Sequence, residues 1–207
     1  MGYLQNARQP KGILGKILLS HMNSGKHKAL SSWGLSHLNL KKYLSILDMG
    51  CGGGANVATL LRESPNAKVV GADYSDVSVS KSRKINSKAI KRGRCRIQLE
   101  NVHDLSFKDG EFDLVTAFET VYFWGDLEDA FKRICKALKS GGMFFICNEA
   151  DGDHIEDYEV VKKISGMKIY KENEITDALT ASGFGKVTVK RKSENHWICF
   201  IAEKQNS

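Results

Sequence analysis

No stretch of the 207-residue chain reaches the roughly 20 consecutive apolar residues that a membrane-spanning helix requires. A lysine interrupts the apolar run Ile13 to Leu19, and no small-residue cleavage site follows it. We therefore expect neither a membrane span nor a cleaved secretory signal, and we predict a cytoplasmic protein. With 42% hydrophobic residues, the chain is long enough for one well-buried domain.

Paired cysteines of the C-x-x-C type are also absent, and the five cysteines are scattered along the chain. Cys135, Cys147 and Cys199 lie in apolar patterns, which predicts small buried side chains. The six histidines show no paired ligand spacing on one helix face, so we expect no metal site. The segment Asp151–His154 is interpreted as an acidic loop.

Acidic residues are missing from one long stretch. Between Lys81 and Arg96 the chain has eight lysines and arginines and no Asp or Glu. A nucleic-acid or anionic-membrane partner would explain this bias. Because no aromatic residues interleave the charges as a base-stacking surface requires, we favour the solvated face of a helix instead. Its apolar side is predicted to be Val77, Ile85 and Ala89.

What the chain does contain is a strand, a glycine turn and a helix in immediate succession. An apolar run ends at Asp48, four of residues 50–54 are glycine, and helical spacing resumes at Ala55. This pattern opens a nucleotide-binding βαβ unit. A fixed carboxylate at Asp48 would repel pyrophosphate but attract a cationic ligand such as an aminoacyl sulfonium. The next strand ends at Asp73, where a carboxylate can bind ribose hydroxyls.

From Tyr43 onward, strands and helices alternate, which predicts a mostly parallel sheet covered on both faces. The last two strands are joined by only five residues, 192–196, and should form an antiparallel hairpin. Two further helices are predicted before the first strand, around residues 13–22 and 30–38. The predicted strands are 45–49, 68–72, 94–99, 112–118, 143–148, 186–190 and 197–202, and the later helices are 55–62, 77–91, 127–139, 156–164 and 172–182.

The stretch Ile46–Gly54 resembles the first motif of class I S-adenosylmethionine-dependent methyltransferases, and Val70–Ser75 is similar to their second. The match continues in order through Leu105–Val115 and Leu138–Gly142. It covers residues 43–149 most closely and resembles the type 11-like, small-molecule branch. The resemblance implies an α/β, Rossmann-like fold with a seven-stranded, mostly parallel sheet and a C-terminal antiparallel hairpin. It also implies an N-terminal helical lid over residues 1–42 and a methyltransferase domain over residues 43–207.

The same resemblance implies where the cofactor, S-adenosylmethionine, would bind. The amides of the glycine turn and its close approach would hold the methionyl part, and Asp73 would bind the ribose. Tyr74 would cover one adenine face. The alternative for Asp73 is a helix cap, although Ser75 and Asp76 are available for that role. The implied cofactor residues are Asp48, Gly50, Cys51, Gly52, Asp73, Tyr74, Asn101, Val102 and Phe118.

The segment Thr116–Trp124 follows the fourth strand and should border the acceptor. It lacks the Asn/Asp-Pro-Pro-Tyr/Phe signature of many methyltransferases that act on planar nitrogens. It offers one carboxylate among aromatic residues, so Glu119 and Tyr122 are the predicted catalytic residues, with Glu119 as base or orienting group. The alternative is that these aromatics are core and Glu119 caps a helix. The predicted substrate and lid residues are Met22, His27, Trp33, Trp124 and Asn148. For the first three, the alternative is a packing helix followed by a polar loop.

These features predict methyl transfer from S-adenosylmethionine to a small-molecule acceptor by in-line displacement. Alignment of the reacting groups would supply most of the catalysis. The alternatives are an RNA or protein methyltransferase of the same fold, or a catalytically silent cofactor-binding subunit. Asp48 and the terminal hairpin disfavour a nicotinamide oxidoreductase. We expect a monomer or homodimer, with nucleic acid as the less favoured partner.

Overall fold

The computed structural model describes residues 25–154, 164 and 166–205. The chain divides into two compact units, Met1–Asn101 and Val102–Ser207. The helix predicted around residues 13–22, and all but residue 164 of the helix predicted at 156–164, lie outside the described residues. Within the described part of the chain, no helix combines the length and apolar character that crossing a bilayer would require.

The first unit alternates strands and helices. Strand β2 pairs in parallel with both β1 and β3. All residues of β1 after Ser45, and all residues of β2 after Lys68, are buried, as near-continuous apolar parallel strands should be. The elements are α1 (Gly25–Leu35), β1 (Ser45–Met49), α2 (Ala55–Glu63), β2 (Lys68–Asp73), α3 (Asp76–Ile85), α4 (Ser87–Lys91) and β3 (Cys95–Leu99).

The second unit begins with a parallel strand pair and ends with an antiparallel hairpin. Strands β4 and β5 are parallel, whereas β7 runs antiparallel to both β5 and β6. His196, in a left-handed conformation (φ 60°), ends the short turn between β6 and β7. The predicted hairpin is confirmed. The elements are β4 (Phe112–Phe118), α5 (Leu127–Ala137), β5 (Leu138–Asn148), α6 (Glu172–Ala181), β6 (Phe184–Lys192) and β7 (Trp197–Lys204).

The seven strands form a sheet in the order β3-β2-β1-β4-β5-β7-β6. The predicted fold class, a mostly parallel sheet with a C-terminal antiparallel pair, is therefore confirmed. Parallel sheets of this kind place ligands at the carboxyl ends of their strands. Those strand ends carry Asp48 and Met49 on β1, Asp73 on β2, Phe118 on β4 and Asn148 on β5.

The long basic helix predicted at 77–91 is wrong in two respects. It breaks at Asn86 into α3 and α4, and Ile85, predicted to be buried, has 46% of its surface exposed. The buried side of α3 consists of Ser78, Val79 and Ser82. Small polar residues lie there because the glycine turn packs against them: the Asn86 side-chain amide donates to the carbonyl of Gly54 (3.0 Å).

The helix predicted at 127–139 also ends earlier than expected. α5 stops at Ala137, and β5 begins at Leu138, which pairs with Phe112 of β4. The register then shifts before Leu114, and Gly141 adopts a left-handed conformation (φ 68°). The two glycines at 141 and 142 therefore lie inside an irregular strand rather than behind a helix. A kinked strand needs glycine at such a position, just as a helix end does.

All five cysteines are buried free thiols. Cys147 and Cys199 lie directly opposite each other on β5 and β7, and neither is exposed. The predicted burial of Cys135, Cys147 and Cys199 is confirmed. Burial raises the pKa of Cys199 to about 12, so this thiol is protonated at neutral pH.

Candidate active site

The glycine turn after β1 is held by backbone hydrogen bonds to β2 and within itself. The amides of Gly50 and Cys51 both donate to the carbonyl of Ala72 (2.8 and 2.9 Å), and the Gly54 amide donates to Cys51. Gly50, Gly52 and Gly54 all have positive φ values, which side chains disfavour. The amides of Gly50, Cys51 and Gly54 thus already donate to backbone carbonyls.

Gly54 is also fixed by its surroundings. A Cβ atom built at this position would lie 2.3 Å from Ser82 Oγ and 2.6 Å from Asn86 Nδ2. Its φ of 83° adds a second reason for glycine. The turn is therefore seated directly on α3, and its shape depends on the small side chains of that helix.

Asp73, at the end of β2, is tied to the glycine turn. Its carboxylate accepts hydrogen bonds from the Gly52 amide and from the Ser75 amide, each at 2.9 Å. Burial raises the pKa of Asp73 above its ordinary value, and these two hydrogen bonds oppose that rise. Ser75, rather than Asp73, caps α3 by accepting from the Ser78 amide. The cap alternative for Asp73 is therefore not what the structure shows.

Cys51 is buried within this turn. Its Sγ lies 3.8 Å from Ser82 Oγ. Burial raises the pKa of the Cys51 thiol well above its ordinary value, and the nearby carboxylates of Asp73 and Asp48 add to the rise. A thiol held protonated is a poor nucleophile. The side chain of Cys51 therefore has a packing role, and its backbone forms part of the turn.

The remaining predicted cofactor residues of the first unit lie around Asp73. Asp48 is 1% exposed at the end of β1, and Tyr74 presents an exposed ring directly after β2. Asn101 is exposed just after β3. Glu100, which is not among the predicted site residues, is buried, and its amide donates to the Asp73 carbonyl (3.0 Å). The sequence position could have indicated Glu100, because it is the first acidic residue after β3, just as Asp73 is the acidic residue at the end of β2.

In the second unit, Glu119 ties the ends of β4 and β5 together. It adopts a left-handed conformation (φ 57°) and its amide donates to the Cys147 carbonyl (3.0 Å). Its carboxylate accepts hydrogen bonds from the amide of Glu149 and from the hydroxyl of Tyr122. A left-handed glutamate is uncommon, and such conformations persist where surrounding contacts hold the backbone, often at functional sites. Glu119 does not cap the short helical turn that follows, because the residue at the cap position is Thr120.

Tyr122 completes this arrangement. Its hydroxyl donates to Glu119 (3.3 Å) and accepts from the Ala150 amide (3.1 Å). Burial, with Glu119 next in importance, raises the pKa of Tyr122 well above its ordinary value, so the phenol keeps its proton. A carboxylate oxygen of Glu149 lies within 4.8 Å of one of Glu119. The two carboxylates and the phenol form a set that can orient a polar group or stabilise positive charge.

Asn148, the last residue of β5, is 1% exposed. Its Oδ1 atom is buried and has no hydrogen-bond partner among the residues that the structure describes. A buried amide oxygen of this kind is uncommon in a folded protein. Asn148 therefore has an acceptor atom whose hydrogen-bonding capacity is not used within the described residues.

Other predicted residues of the second unit lie in its core. Trp124 is buried, with its ring parallel to Phe144 (6.3 Å between centroids) and edge-on to Phe131. Trp124 thus packs among aromatic side chains of the second unit. Phe118 is buried against Phe145, and Val102 is buried as well. Phe118 and Val102 could contact a ligand only through an edge or the backbone.

Of the predicted lid residues, Met22 lies outside the described residues. His27 and Trp33 are both half-buried on α1, and the Trp33 ring contacts His37 edge-on at 5.2 Å.

The acidic loop after β5 binds Arg191, which forms ion pairs with Asp151 and Asp153 at 3.1 Å each. One arginine thus pairs with both aspartates of the loop.

Comparison with known proteins identifies the fold. A family described as "Methyltransferase domain" matches residues 47–146. The chain is 27% identical over 166 residues to 24-methylenesterol C-methyltransferase 2 of Arabidopsis thaliana, a match that covers 75% of this chain and 45% of that protein. The chain thus spans less than half of that relative's length.

Two solved structures show the same fold. The methyltransferase bound to the Trm112 methyltransferase activator of Haloferax volcanii superimposes with a TM-score of 0.82 and 16% identity, over 91% of this chain and 93% of that one. Geranyl diphosphate C-methyltransferase of Streptomyces coelicolor A3(2) superimposes with a TM-score of 0.72 and 14% identity, over 86% of this chain and 76% of that one. Residues 47–146, just under half of the chain, match the methyltransferase domain family, and the chain has the fold of a methyltransferase of known structure.

Proposed function

We propose that this protein transfers a methyl group from S-adenosylmethionine to a small, largely apolar acceptor. The observation that carries the proposal is the carboxylate of Asp73, buried at the end of β2 and held by the Gly52 amide of the glycine turn. A carboxylate fixed next to a turn without side chains suits a ribose whose neighbouring groups must approach the backbone.

The residues of the first unit fit this cofactor. S-adenosylmethionine supplies an electrophilic methyl group on a sulfonium centre. Asp48 places a negative charge at the end of β1, which favours a cationic ligand. Asp73 would accept from the ribose hydroxyls, Tyr74 would cover the adenine, and Gly50, Cys51 and Gly52 would line the methionyl part. For the adenine edge we propose Asn101 and the backbone of Val102, and we propose Phe118 as a further cofactor-binding residue.

For the acceptor we propose Glu119 and Tyr122 as catalytic residues. Glu119, with Glu149 close by, would orient a polar group or stabilise positive charge that develops on the acceptor. The protonated phenol of Tyr122 keeps the Glu119 carboxylate in place. Asn148 would contribute its buried carbonyl oxygen. We further propose that residues 1–42 form a lid in which Met22, His27 and Trp33 contact the acceptor.

The acceptors for which these proteins are named support a small molecule with a hydrocarbon skeleton. One relative is named for a methylenesterol and one structural neighbour for geranyl diphosphate, both with extended hydrocarbon skeletons. The segment after β4 lacks the Asn/Asp-Pro-Pro-Tyr/Phe signature. We therefore favour a small molecule over RNA or protein. We also propose a cytosolic monomer or homodimer.

The test begins with calorimetric titration of S-adenosylhomocysteine, with NAD in a parallel cell. Transfer of a labelled methyl group to sterols, prenyl diphosphates, RNA and protein follows. Micromolar binding of S-adenosylhomocysteine with labelled product in an apolar small molecule supports the proposal. Labelled RNA or protein would replace the acceptor class, and binding without any product would favour a silent subunit.

A further inference from the structure

A groove of about 400 Å³ lies between α3, α4 and β3, the edge strand of the sheet. Two isoleucines provide apolar carbon, and three cations stand around them. No carboxylate is among the lining residues. This combination suits an amphiphile with an anionic head. The groove is lined by Arg83, Ser87, Ile90, Lys91, Arg96 and Ile97.

The helices beside this groove carry exposed cations that are not neutralised. Lys84, Lys88, Lys91 and Arg92 are exposed, and none forms an ion pair with a carboxylate among the described residues. Several basic residues of the second unit are neutralised by acids: Lys132, for example, pairs with Glu128. Four neighbouring cations without counter-charges create a positive field that an anionic surface can neutralise.

Two other arginines of this stretch have structural roles. The guanidinium of Arg83 donates to the carbonyl of Ile97 on the edge strand (2.9 Å), which protects part of that edge from pairing. Arg94 donates to the carbonyls of Leu61 and Ser64 (3.0 and 2.9 Å) and so fixes the end of α2. Edge protection and packing therefore account for Arg83 and Arg94 but not for the four exposed cations.

Exposed apolar side chains lie in the same unit. Among the described residues, four large apolar side chains are exposed, and all belong to the first unit: Leu44, Tyr74, Ile85 and Leu99. Ile85 ends α3 and Leu99 ends β3, so both belong to elements that form the groove. Apolar side chains next to lysines and arginines are typical of surfaces that lie at a lipid interface.

We propose that the face formed by α3, α4 and β3 docks on anionic lipid bilayers. The cations contact lipid head groups, and Ile85, Ile90 and Leu99 meet the acyl boundary. Nucleic acid fits less well, because residues 76–99 contain no aromatic side chain on which a base could stack. The proposal does not depend on the methyltransferase reaction, and binding alone tests it.

The experiment is cosedimentation of the full chain with vesicles of phosphatidylcholine, with or without phosphatidylglycerol. We expect binding only to the anionic vesicles and loss of binding at high salt. Lys88→Gln together with Lys91→Gln should weaken it roughly tenfold or more, since each cation near such a surface contributes substantially. Ile85→Ser with Leu99→Ser should weaken it at constant charge.

The matched control is Lys132→Gln with Lys136→Gln, which makes the same change in net charge on exposed residues of α5. This variant should retain at least most of the binding. Circular dichroism confirms that each variant is folded. An equal loss in both lysine pairs, or no binding of the parent to anionic vesicles, would overturn the proposal. Binding to an RNA duplex that is lost in Lys88→Gln with Lys91→Gln, without vesicle binding, would also overturn it.

Discussion

The carboxylate of Asp73 and the amide of Gly52 are joined by a hydrogen bond of 2.9 Å, although 21 residues separate them in sequence. This bond connects the end of β2 to the glycine turn after β1. Any ligand that binds Asp73 therefore also meets the turn. Two parts of the proposed cofactor site are positioned by one another, before a ligand arrives.

Asp73→Asn is expected to weaken binding of S-adenosylhomocysteine by roughly 1–3 kcal/mol, because ribose hydroxyls would lose a charged acceptor. Calorimetry measures the change. The matched control is Asp76→Asn, an exposed residue at the start of α3 that undergoes the same loss of charge. Unchanged affinity in Asp73→Asn, or equal losses in both variants, would remove Asp73 from the cofactor site.

The raised pKa of Asp73 predicts a pH dependence of stability. Above its unfolded pKa of about 3.9, the folded chain holds the Asp73 proton more tightly than the unfolded chain. This contribution to stability is present at low pH and is lost as the pH rises through the folded pKa. The Asp73→Asn variant does not lose stability in this way, because asparagine does not titrate. The difference in unfolding free energy should therefore shift in favour of the variant between pH 4 and neutrality, as urea titrations would show. A pH-independent difference would contradict the raised pKa.

Gly54→Ala should destabilise the first unit by steric overlap with Ser82 and Asn86. Gly93→Ala is a suitable control, since Gly93 also has positive φ (69°) but a Cβ there would meet nothing within 4 Å. The control should cost about 1–2 kcal/mol of unfolding free energy from backbone conformation alone. Gly54→Ala should cost distinctly more. Equal losses of unfolding free energy in the two variants would show that α3 moves to make room for the added Cβ.

Tyr122→Phe should lower the unfolding free energy by roughly 1–3 kcal/mol, because the Ala150 amide would lose its acceptor and Glu119 a donor. Tyr170→Phe removes a hydroxyl that donates to the carbonyl of the exposed Gly125, which water can replace. That control should cost less. If both variants unfold at the same urea concentration, the Tyr122 network does not stabilise the strand ends.

Glu119→Gln keeps the shape of the side chain but removes its charge. If Glu119 acts as base or charge stabiliser, kcat should fall by roughly 10²–10⁴ with little change in binding of S-adenosylhomocysteine. Glu128→Gln, an exposed acid on α5, serves as the control. A KM effect with unchanged kcat would instead assign Glu119 to acceptor binding.

The sequence predicted the strands better than the packing between elements. Residues 112–118 form a strand as predicted, because a short, mostly apolar run between turns is typical of a buried strand. The buried face of α3 could not be predicted, since hydrophobicity does not indicate that Ser82 and Asn86 must leave room for a glycine turn. Nor does residue type reveal that Trp124 lies in the core or that Glu119 is left-handed, because long-range contacts decide both.

Because all five thiols are buried, their reaction with a thiol reagent reports local opening of the structure. Cys147 and Cys199 lie opposite each other on β5 and β7 and are fully buried, so a thiol reagent reaches them only when the packing that covers this part of the sheet opens. Cys51 lies under the glycine turn and would react only when that turn lifts from α3. The labelling rate at each cysteine therefore measures the free energy of a different local opening.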